Sequence, residues 1–379
     1  MKIDVANGGG HGIDIFLPDL RGGGAERVLV NLANCCVARG YAVNMVLLFA
    51  RGEFMTALHP DIRVVDLRVK RLRGALLPLV RYLRKSRPES FLACMWPLTV
   101  IAILARFIAR VKCRVVVAEH TTWSRSALLR RPTVGWQVRK SMHFVFPHAD
   151  GIVCVSDGAA EDLAEFARLD RKSITRIYNP IVGRAISSPI NVLSPEEWWV
   201  GSHRRILAVG TLKTVKDYAM LLNAISKLRS RVDARLLILG EGECRAALEE
   251  QIRALELHGS VFMPGFVKDP SPYYQHADLH VLSSVAEGLP TVVVEALATG
   301  TPVVSTDCPS GPREILANGK FGRLVPVGDV EALAQAMQAA LEAPADVAAL
   351  KARAQDFSIE KAVDEYERLL FPALRAKAL

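Results

Sequence analysis

Short runs of β-branched and leucine residues alternate with amphipathic segments along this chain, and the succession runs through twice. In the first half, 13–17 (IDIFL), 43–49 (VNMVLLF), 114–118 (RVVVA) and 152–155 (IVCV) read as strands. A glycine loop and a helical run over 25–39 follow the first of them. The second half opens with 205–209 (RILAV), a glycine turn and a helical run over 218–230. It continues through strands over 236–239, 261–263, 279–282, 302–305 and 323–325. Such runs are apolar on both faces, the pattern of strands covered by helices on two sides, and their alternation specifies βα units in parallel sheets. Two successions imply two doubly wound α/β domains, with ligands expected at the carboxyl ends of the strands. The break lies in NPIVGRAISSPINVLSPEEWWVGSHR, 179–204, which is rich in Pro, Ser and Gly and lacks periodicity. The predicted division is a first domain over 1–182, a linker over 183–204, a second domain over 205–357, and a final helix over 358–379 that crosses back to the first.

Composition removes several other classes. Half of the 379 residues are hydrophobic and 23% are charged, enough for two ordinary cores. The seven cysteines are odd in number, scattered and never in a Cys-x-x-Cys pair, which argues against a zinc site or disulfide framework and for reduced thiols in the cytosol. The longest apolar stretch, 91–105, contains Pro97 and stops at Arg106, short of the roughly 18 residues of a spanning helix. Nothing after Met1-Lys2 has a signal peptide's apolar core. Gly8 to Gly10, placed before the first strand, read as a loose tail. A soluble or peripheral protein is expected. Its net charge of +9 is concentrated: residues 63–114 carry 13 basic and 2 acidic side chains, which implies a specific anionic partner.

The segment AEGLPTVVVEALATGTPVV, 286–304, sets one glutamate before a turn and a second within an apolar run. The spacing predicts a helix over 291–299: Pro290 suits its first turn, Gly300 its carboxyl cap, and Pro302 prevents continuation. The amide groups of its first turn have no internal partner and the macrodipole is positive there, so an anion fits against GLPT. Gly288 lets the backbone approach that anion. Glu295 follows Thr291 by four residues and lies one turn further on, on the same face. A carboxylate there repels phosphate but accepts two hydrogen bonds from neighbouring ribose hydroxyls. Glu287, ahead of the turn, meets whatever is attached beyond the phosphates, so the arrangement describes a nucleotide sugar. Singly, Glu287 also suits a solvated loop and Glu295 a buried Lys partner. An unpartnered buried carboxylate is costly, and the combination therefore favours a ligand.

The same stretch, SSVAEGLPTVVVEALATGTPVVSTD, resembles the signature of retaining glycosyltransferases of family four, whose E-x7-E pair is Glu287 and Glu295 here. The resemblance continues through CPSGPREIL (308–316), FGRLVPVGD (321–329), LGEGECRAALE (239–249) and MPGFVKDPSPYYQHADLHVLSS (263–284), and so covers the second half. In the first half, GGGAERVLVNLA (22–33) resembles the family's acceptor-side glycine loop, and AEHTTW and IVCVSDGAAEDL match more weakly. The implied architecture is the GT-B fold, two Rossmann-like doubly wound domains facing a central cleft.

Carried onto these positions, the resemblance implies that Glu295 holds the ribose and that Glu287 contacts sugar hydroxyls near the reacting carbon. Backbone at Gly288, Leu289 and Thr291 receives the diphosphate, Pro290 having no amide to give. The family places Gly-Arg after a strand and Lys five residues beyond the arginine. VGTLKTVKDY supplies Gly210 and Lys216, but Thr211 stands where the arginine belongs, which removes a bidentate cation. Lys213 is the candidate to compensate. Lys216 and the helix N-terminus are expected to stabilise the departing nucleoside diphosphate. His120, just past RVVVA, resembles the histidine that reaches the sugar from the first domain. Gly23 and Gly24, with Gly22, either admit an acceptor's phosphate or sugar or simply open a helix. Ser310-Gly311-Pro312 is a second possible phosphate or sugar contact, and Ser156 a helix cap. No Asp-x-Asp motif is present, so metal-independent transfer with no cofactor is expected, the donor being a UDP-sugar.

In the basic stretch, Leu76, Leu79, Val80 and Leu83 fall at helical spacing, with Arg73, Arg81, Arg84 and Lys85 around them. Arg106 and Arg110 stand one turn apart behind LTVIAIL. Basic side chains beside aliphatic faces suit an anionic cytoplasmic leaflet, or a lipid diphosphate gripped by Arg81 and Arg84. A solvated basic face is the plain alternative; nucleic acid is disfavoured by the aliphatic interleaving. The expectation is a retaining transferase that moves a hexosyl or N-acetylhexosaminyl unit to a lipid-linked oligosaccharide or polysaccharide acceptor, peripheral to the inner face of the cytoplasmic membrane. A non-hydrolysing sugar-nucleotide epimerase and a non-catalytic nucleotide-sugar binder are the alternatives. A dinucleotide dehydrogenase is disfavoured, since no GxGxxG follows the first strand.

Overall fold

The structure, a computed structural model, describes residues 11–21, 23–69, 71–125, 132–183, 201 and 203–372. Gly8 to Gly10, Gly22, the Arg73 side chain, most of the expected linker (184–200 and 202) and the end of the expected final helix lie outside the described residues. The chain divides into two compact units, one drawn from 1–181 and 358–379 and the other from 182–357.

The first unit follows the order β1 (Gly12–Leu17), α1 (Gly24–Ala38), β2 (Ala42–Leu47), β3 (Arg63–Asp66), α2 (Leu76–Ser86), β4 (Ser90–Cys94) and α3 (Leu98–Ala109). It continues through β5 (Arg114–Glu119), α4 (Pro132–Val145), β6 (Gly151–Cys154), α5 (Asp157–Ala167) and β7 (Ile174–Arg176). Its seven parallel strands lie in the order β3-β2-β1-β4-β5-β6-β7. One sheet face is covered by α2, α3, α4 and α5 through residues such as Leu79, Ile103, Met142 and Leu163. On the other face, Leu29 and Leu32 of α1 share a core with Val363 and Tyr366. Three strands escape the sequence pattern. β4 is fused to α3 in the apolar run 91–105 and parted from it by Met95, at φ +65°, and Pro97. β3 and β7 have only 4 and 3 residues, too few to display a period.

The second unit comprises β8 (Arg204–Val209), α6 (Tyr218–Leu228), β9 (Ala234–Leu239), α7 (Arg245–Ala254), β10 (Val261–Gly265), α8 (Ser271–His276) and β11 (Leu279–Leu282). Then come α9 (Thr291–Thr299), β12 (Val303–Thr306), α10 (Pro312–Ile315), β13 (Arg323–Val325), α11 (Val330–Glu342) and α12 (Val347–Ala354). The six parallel strands run β10-β9-β8-β11-β12-β13, so the order reverses between β8 and β11. In such a sheet the loops after those two strands part to opposite faces and leave a crevice at their carboxyl ends.

The last helix, α13 (Ile359–Leu370), is built into the first unit. Ser358 caps its start, and the Leu370 carbonyl accepts a 2.6 Å bond from Ser90 Oγ. Arg39 of α1 donates to Asp364 at 2.6 Å and Glu367 at 3.0 Å. All seven cysteines are free thiols. Among the described residues, no helix is long and apolar enough to cross a membrane.

Candidate active site

The reversal in the second sheet is where the nominated donor residues meet. After β8 the chain passes Gly210 and Thr211 and forms a single 3-10 turn, Thr214–Lys216; after β11 it runs through Ser283 to Glu287. Two bonds stitch these loops together: Val285 N–H donates to the Val215 carbonyl at 2.9 Å, and Ser283 Oγ to the Lys216 carbonyl at 2.7 Å. Held this way, Lys216 Nζ donates to Glu287 Oε1 at 2.7 Å, and Ser284 Oγ donates to the same oxygen at 2.6 Å. Both members of the ion pair are largely buried. Gly210, at φ +153°, leaves room for this arrangement: a Cβ there would lie 3.0 Å from the Tyr218 hydroxyl and 3.5 Å from Lys216 Cε.

Beyond Glu287, buried Gly288 and Leu289 lead to Pro290 and α9. The N-terminus of α9 has no side-chain cap, which leaves its positive dipole end to a ligand. The turn is braced from behind. Ser310 Oγ donates to the Gly288 carbonyl at 2.9 Å, and Gly311, at φ +91°, packs so closely that a Cβ would meet Pro290 Cδ at 2.4 Å. Ser310 is thus engaged in holding the turn, a role the sequence does not reveal.

Glu295 occupies a different setting from the one its apolar neighbours suggest. Val293, Val294, Ala296 and Leu297 are buried, whereas Thr291, Val292, Glu295, Ala298 and Thr299 form a half-buried stripe. The carboxylate lies on that stripe, one turn beyond Thr291, and escapes full desolvation. Thr211 is half-buried at the end of β8, and Lys213 beside it is exposed; among the described residues, Lys213 makes no ion pair. Among the described residues, too, no group of three or more His, Cys, Asp or Glu side chains is placed to hold a metal ion.

In the first unit, His120 follows the last residue of β5. Neither ring nitrogen has a hydrogen-bond partner. Burial pushes its pKa down to about 4, opposed by the adjacent Asn179 side chain, so the ring is neutral at pH 7. The residue before it is one the sequence reading missed. Glu119 is buried at the carboxyl end of β5 and accepts from Thr99 Oγ1 at 2.9 Å and Trp96 N–H at 3.4 Å. Burial raises its pKa to about 7, against these hydrogen bonds. The signal was present, because an ionisable residue ends an otherwise apolar strand.

The residues nominated for the acceptor side lie on two elements of the first unit, α1 and α2. Gly23 caps and Gly24 begins α1, but a Cβ at Gly23 would fall 2.0 Å from Glu26 Oε2. The helix's own first-turn carboxylate folds over its N-terminus, so an acceptor phosphate there has to displace it. Arg81 and Arg84 stand on α2, which runs antiparallel to the strands and ends four residues before β4 begins. Arg84 is in the last turn of the helix and Arg81 at its middle, both exposed. Arg84 Nη2 donates to the Ile108 carbonyl at 2.9 Å. Arg106 is consumed internally by an ion pair with Asp150. Ser156 does cap α5, accepting from Ala159 N–H at 3.1 Å.

Two Rossmann-like units, the second with a Lys-Glu pair and an uncapped helix at its switch point, place the chain among doubly wound α/β proteins. Comparison narrows that class. Residues 22–182 match the family described as Glycosyltransferase Family 4, and residues 203–343 match Glycosyl transferases group 1. A Campylobacter jejuni protein named N-acetylgalactosamine-N,N'-diacetylbacillosaminyl-diphospho-undecaprenol 4-alpha-N-acetylgalactosaminyltransferase is 28% identical over 87% of this chain and 90% of its own. The amylovoran biosynthesis glycosyltransferase AmsD of Erwinia amylovora is 28% identical over 79% of this chain and 81% of its own. Among solved structures, Anabaena HepE in complex with UDP-glucose superposes with a TM-score of 0.79 at 22% identity, covering 96% of this chain and 99% of that one. The chain belongs to glycosyltransferase family 4 and has the GT-B fold.

Proposed function

We propose that the protein is a retaining, metal-independent glycosyltransferase that moves a hexosyl or N-acetylhexosaminyl unit from a UDP-sugar to a lipid-linked oligosaccharide or polysaccharide acceptor at the inner face of the cytoplasmic membrane. The observation that carries this is the Lys216–Glu287 pair beside the uncapped N-terminus of α9. Donor diphosphate at that terminus brings its charge to Lys216. Glu287, released or shared, then faces the sugar, while Glu295, a turn further along, accepts from the ribose hydroxyls.

In the step itself, the bond between the sugar's anomeric carbon and the diphosphate oxygen breaks with its electron pair going to the oxygen. The acceptor hydroxyl oxygen bonds to the same face of that carbon, and its proton passes to the departing diphosphate. Lys216 and the helix dipole stabilise the developing charge, which is where a transferase gains most. The names of the Campylobacter relative and of the UDP-glucose complex of Anabaena HepE support this choice of acceptor and donor classes. One observation favours a second reading, a nucleotide-sugar binder without transfer: Thr211 stands where the family carries an arginine.

The test incubates the protein with a panel of nucleotide sugars and a lipid extract from its source, following donor consumption and the anomeric configuration of the product. Transfer with retention is expected, abolished in E287A and E295A without unfolding. Full activity in either variant sinks the site assignment. Epimerised donor without acceptor, or binding with neither transfer nor hydrolysis, selects an alternative.

A further inference from the structure

We propose that the outer face of the α2–α3–α4 layer in the first unit is the surface by which the protein lies on an anionic lipid bilayer. Phe107, Trp136 and Phe144 enter the acyl boundary, and the neighbouring cations meet lipid phosphates. This rests on the proposed lipid-linked acceptor and names the face that brings the protein to it.

The three helices lie side by side on one face of the sheet, each packed against the next, and each turns exposed apolar or basic side chains away from the core. On α2 the stripe is Leu77 with Arg81 and Arg84, at i, i+4 and i+7. On α3 it is Leu104, Phe107 and Ile108, and on α4 it is Trp136, Lys140 and Phe144, at i, i+4 and i+8. Phe107, Trp136 and Phe144 are 51%, 59% and 62% exposed. Large side chains so exposed and grouped on one face mark an interaction surface. The opposite face, formed by α1 and α13, shows none among its described residues. The Arg84 bond to the Ile108 carbonyl fastens α2 to α3, and Phe107 meets His148, just beyond α4, edge-on with ring centroids 5.6 Å apart. The stripes therefore form one connected surface.

Charge identifies the occupant. α2, α3 and α4 contain no Asp or Glu, and with Arg106 held by Asp150 the cations they present are Arg81, Arg84, Lys85, Arg139 and Lys140. Between Asp66 and Asp150 the only acids are Glu89 and Glu119. Glu89 is engaged by His11 at 2.9 Å and Glu119 is buried, so these three helices carry no acid of their own, and the exposed Glu161 and Glu165 stand on the next helix, α5. Lys140 Nζ lies 4.2 Å from the centre of the Trp136 ring, which sets a cation and an amphipathic ring at one level, as a headgroup interface requires. A second copy fits poorly, since a two-fold self-contact brings the same cations against one another. Water alone gives no reason for three exposed aromatic rings. An apolar stripe flanked by cations, on helices too short to span, matches an in-plane membrane contact.

The experiment uses the full chain with vesicles of phosphatidylcholine containing 30% phosphatidylglycerol, and with pure phosphatidylcholine. Sedimentation is expected to recover the protein with the anionic vesicles only, and less of it as salt rises. F107S/W136S/F144S is expected to bind at least tenfold more weakly while its affinity for UDP, measured by calorimetry, stays within twofold. Brominated lipids are expected to quench tryptophan fluorescence of the bound protein and to lose most of that quenching in W136F. Unchanged vesicle binding in the triple variant, or quenching indifferent to W136F, overturns the proposal. So does a stable dimer in solution that the triple variant dissolves. Loss of UDP binding by the unaltered protein refutes the donor assignment instead and leaves the vesicle result to stand or fall separately.

Discussion

Lys216 and Glu287, 71 residues apart in sequence, are joined by a 2.7 Å ion pair across the point where the strand order of the second sheet reverses. Each neutralises the other in a largely buried setting, and Ser284 supplies Glu287 with a second donor. In the proposed function a donor diphosphate competes with Glu287 for the lysine, which makes binding and the freeing of a carboxylate beside the sugar one event.

That coupling predicts non-additive kinetics. E287Q is expected to lower kcat/KM at least ~10²-fold, the scale of losing a transition-state electrostatic contact, and K216A to raise donor KM as well as lower kcat. The double variant should lose less than the product of the two factors. Steady-state kinetics on the four proteins measure this, and additivity within about 0.5 kcal/mol means the residues act independently.

Thr211 concerns donor affinity. It is half-buried at the end of β8, two residues before exposed Lys213. T211R restores a guanidinium beside the proposed diphosphate position and should lower donor KM several-fold with kcat little changed. An unchanged or raised KM places the diphosphate elsewhere.

The brace behind the donor turn is mechanical. Gly311 has φ +91° and would thrust a Cβ to within 2.4 Å of Pro290, so G311A is expected to cost ~1–3 kcal/mol in denaturant unfolding and to depress activity beyond the loss of folded protein. S310A, which only deletes the bond to the Gly288 carbonyl, should be milder, near 1 kcal/mol. Equal effects from the two contradict the steric account.

Acid sensitivity should trace to His280. It is wholly enclosed in β11 with Tyr274 edge-on at 5.4 Å, and burial pushes its pKa down to about 3, with the nearby Leu207 backbone opposing the fall and Lys216 adding to it. A folded-state pKa below the unfolded 6.5 means stability present above pH 6.5 and lost as pH falls toward 3. His120, lowered to about 4, adds to this between pH 6.5 and 4. Glu119, raised to about 7, acts oppositely: its contribution is complete below pH 4.5 and lost as pH rises through 7. H280F should therefore gain on the unaltered protein by up to about 1.4 kcal/mol per pH unit between pH 6.5 and 4. Parallel curves over that interval refute the assignment.

Much of this was legible in the chain itself. The ten expected strands and the helices expected over 25–39, 218–230 and 291–299 coincide with observed elements to within a few residues, because strands covered on both faces must be continuously apolar and helices must be striped. The donor motif was legible for a local reason: Gly288, Pro290, Thr291, Glu295 and Gly300 sit within about four turns of chain, and a helix fixes their relative placement. Where one element ran into the next without a polar break, as at β4 and α3, periodicity had nothing to mark the boundary.

The chain by itself determined two wound sheets, a helix over 291–299 that follows a Gly-Leu-Pro turn, and a basic stretch between residues 63 and 114. Only the tertiary structure decided that Lys216 lies on Glu287 and that Glu295 falls on the open side of its helix. It also decided that Glu26 covers the start of α1, and that Arg81 and Arg84 share a helix layer with the exposed rings of Phe107, Trp136 and Phe144. The reason is that side-chain periodicity reports which face of an element is buried, whereas the order of strands in a sheet decides which distant loops become neighbours.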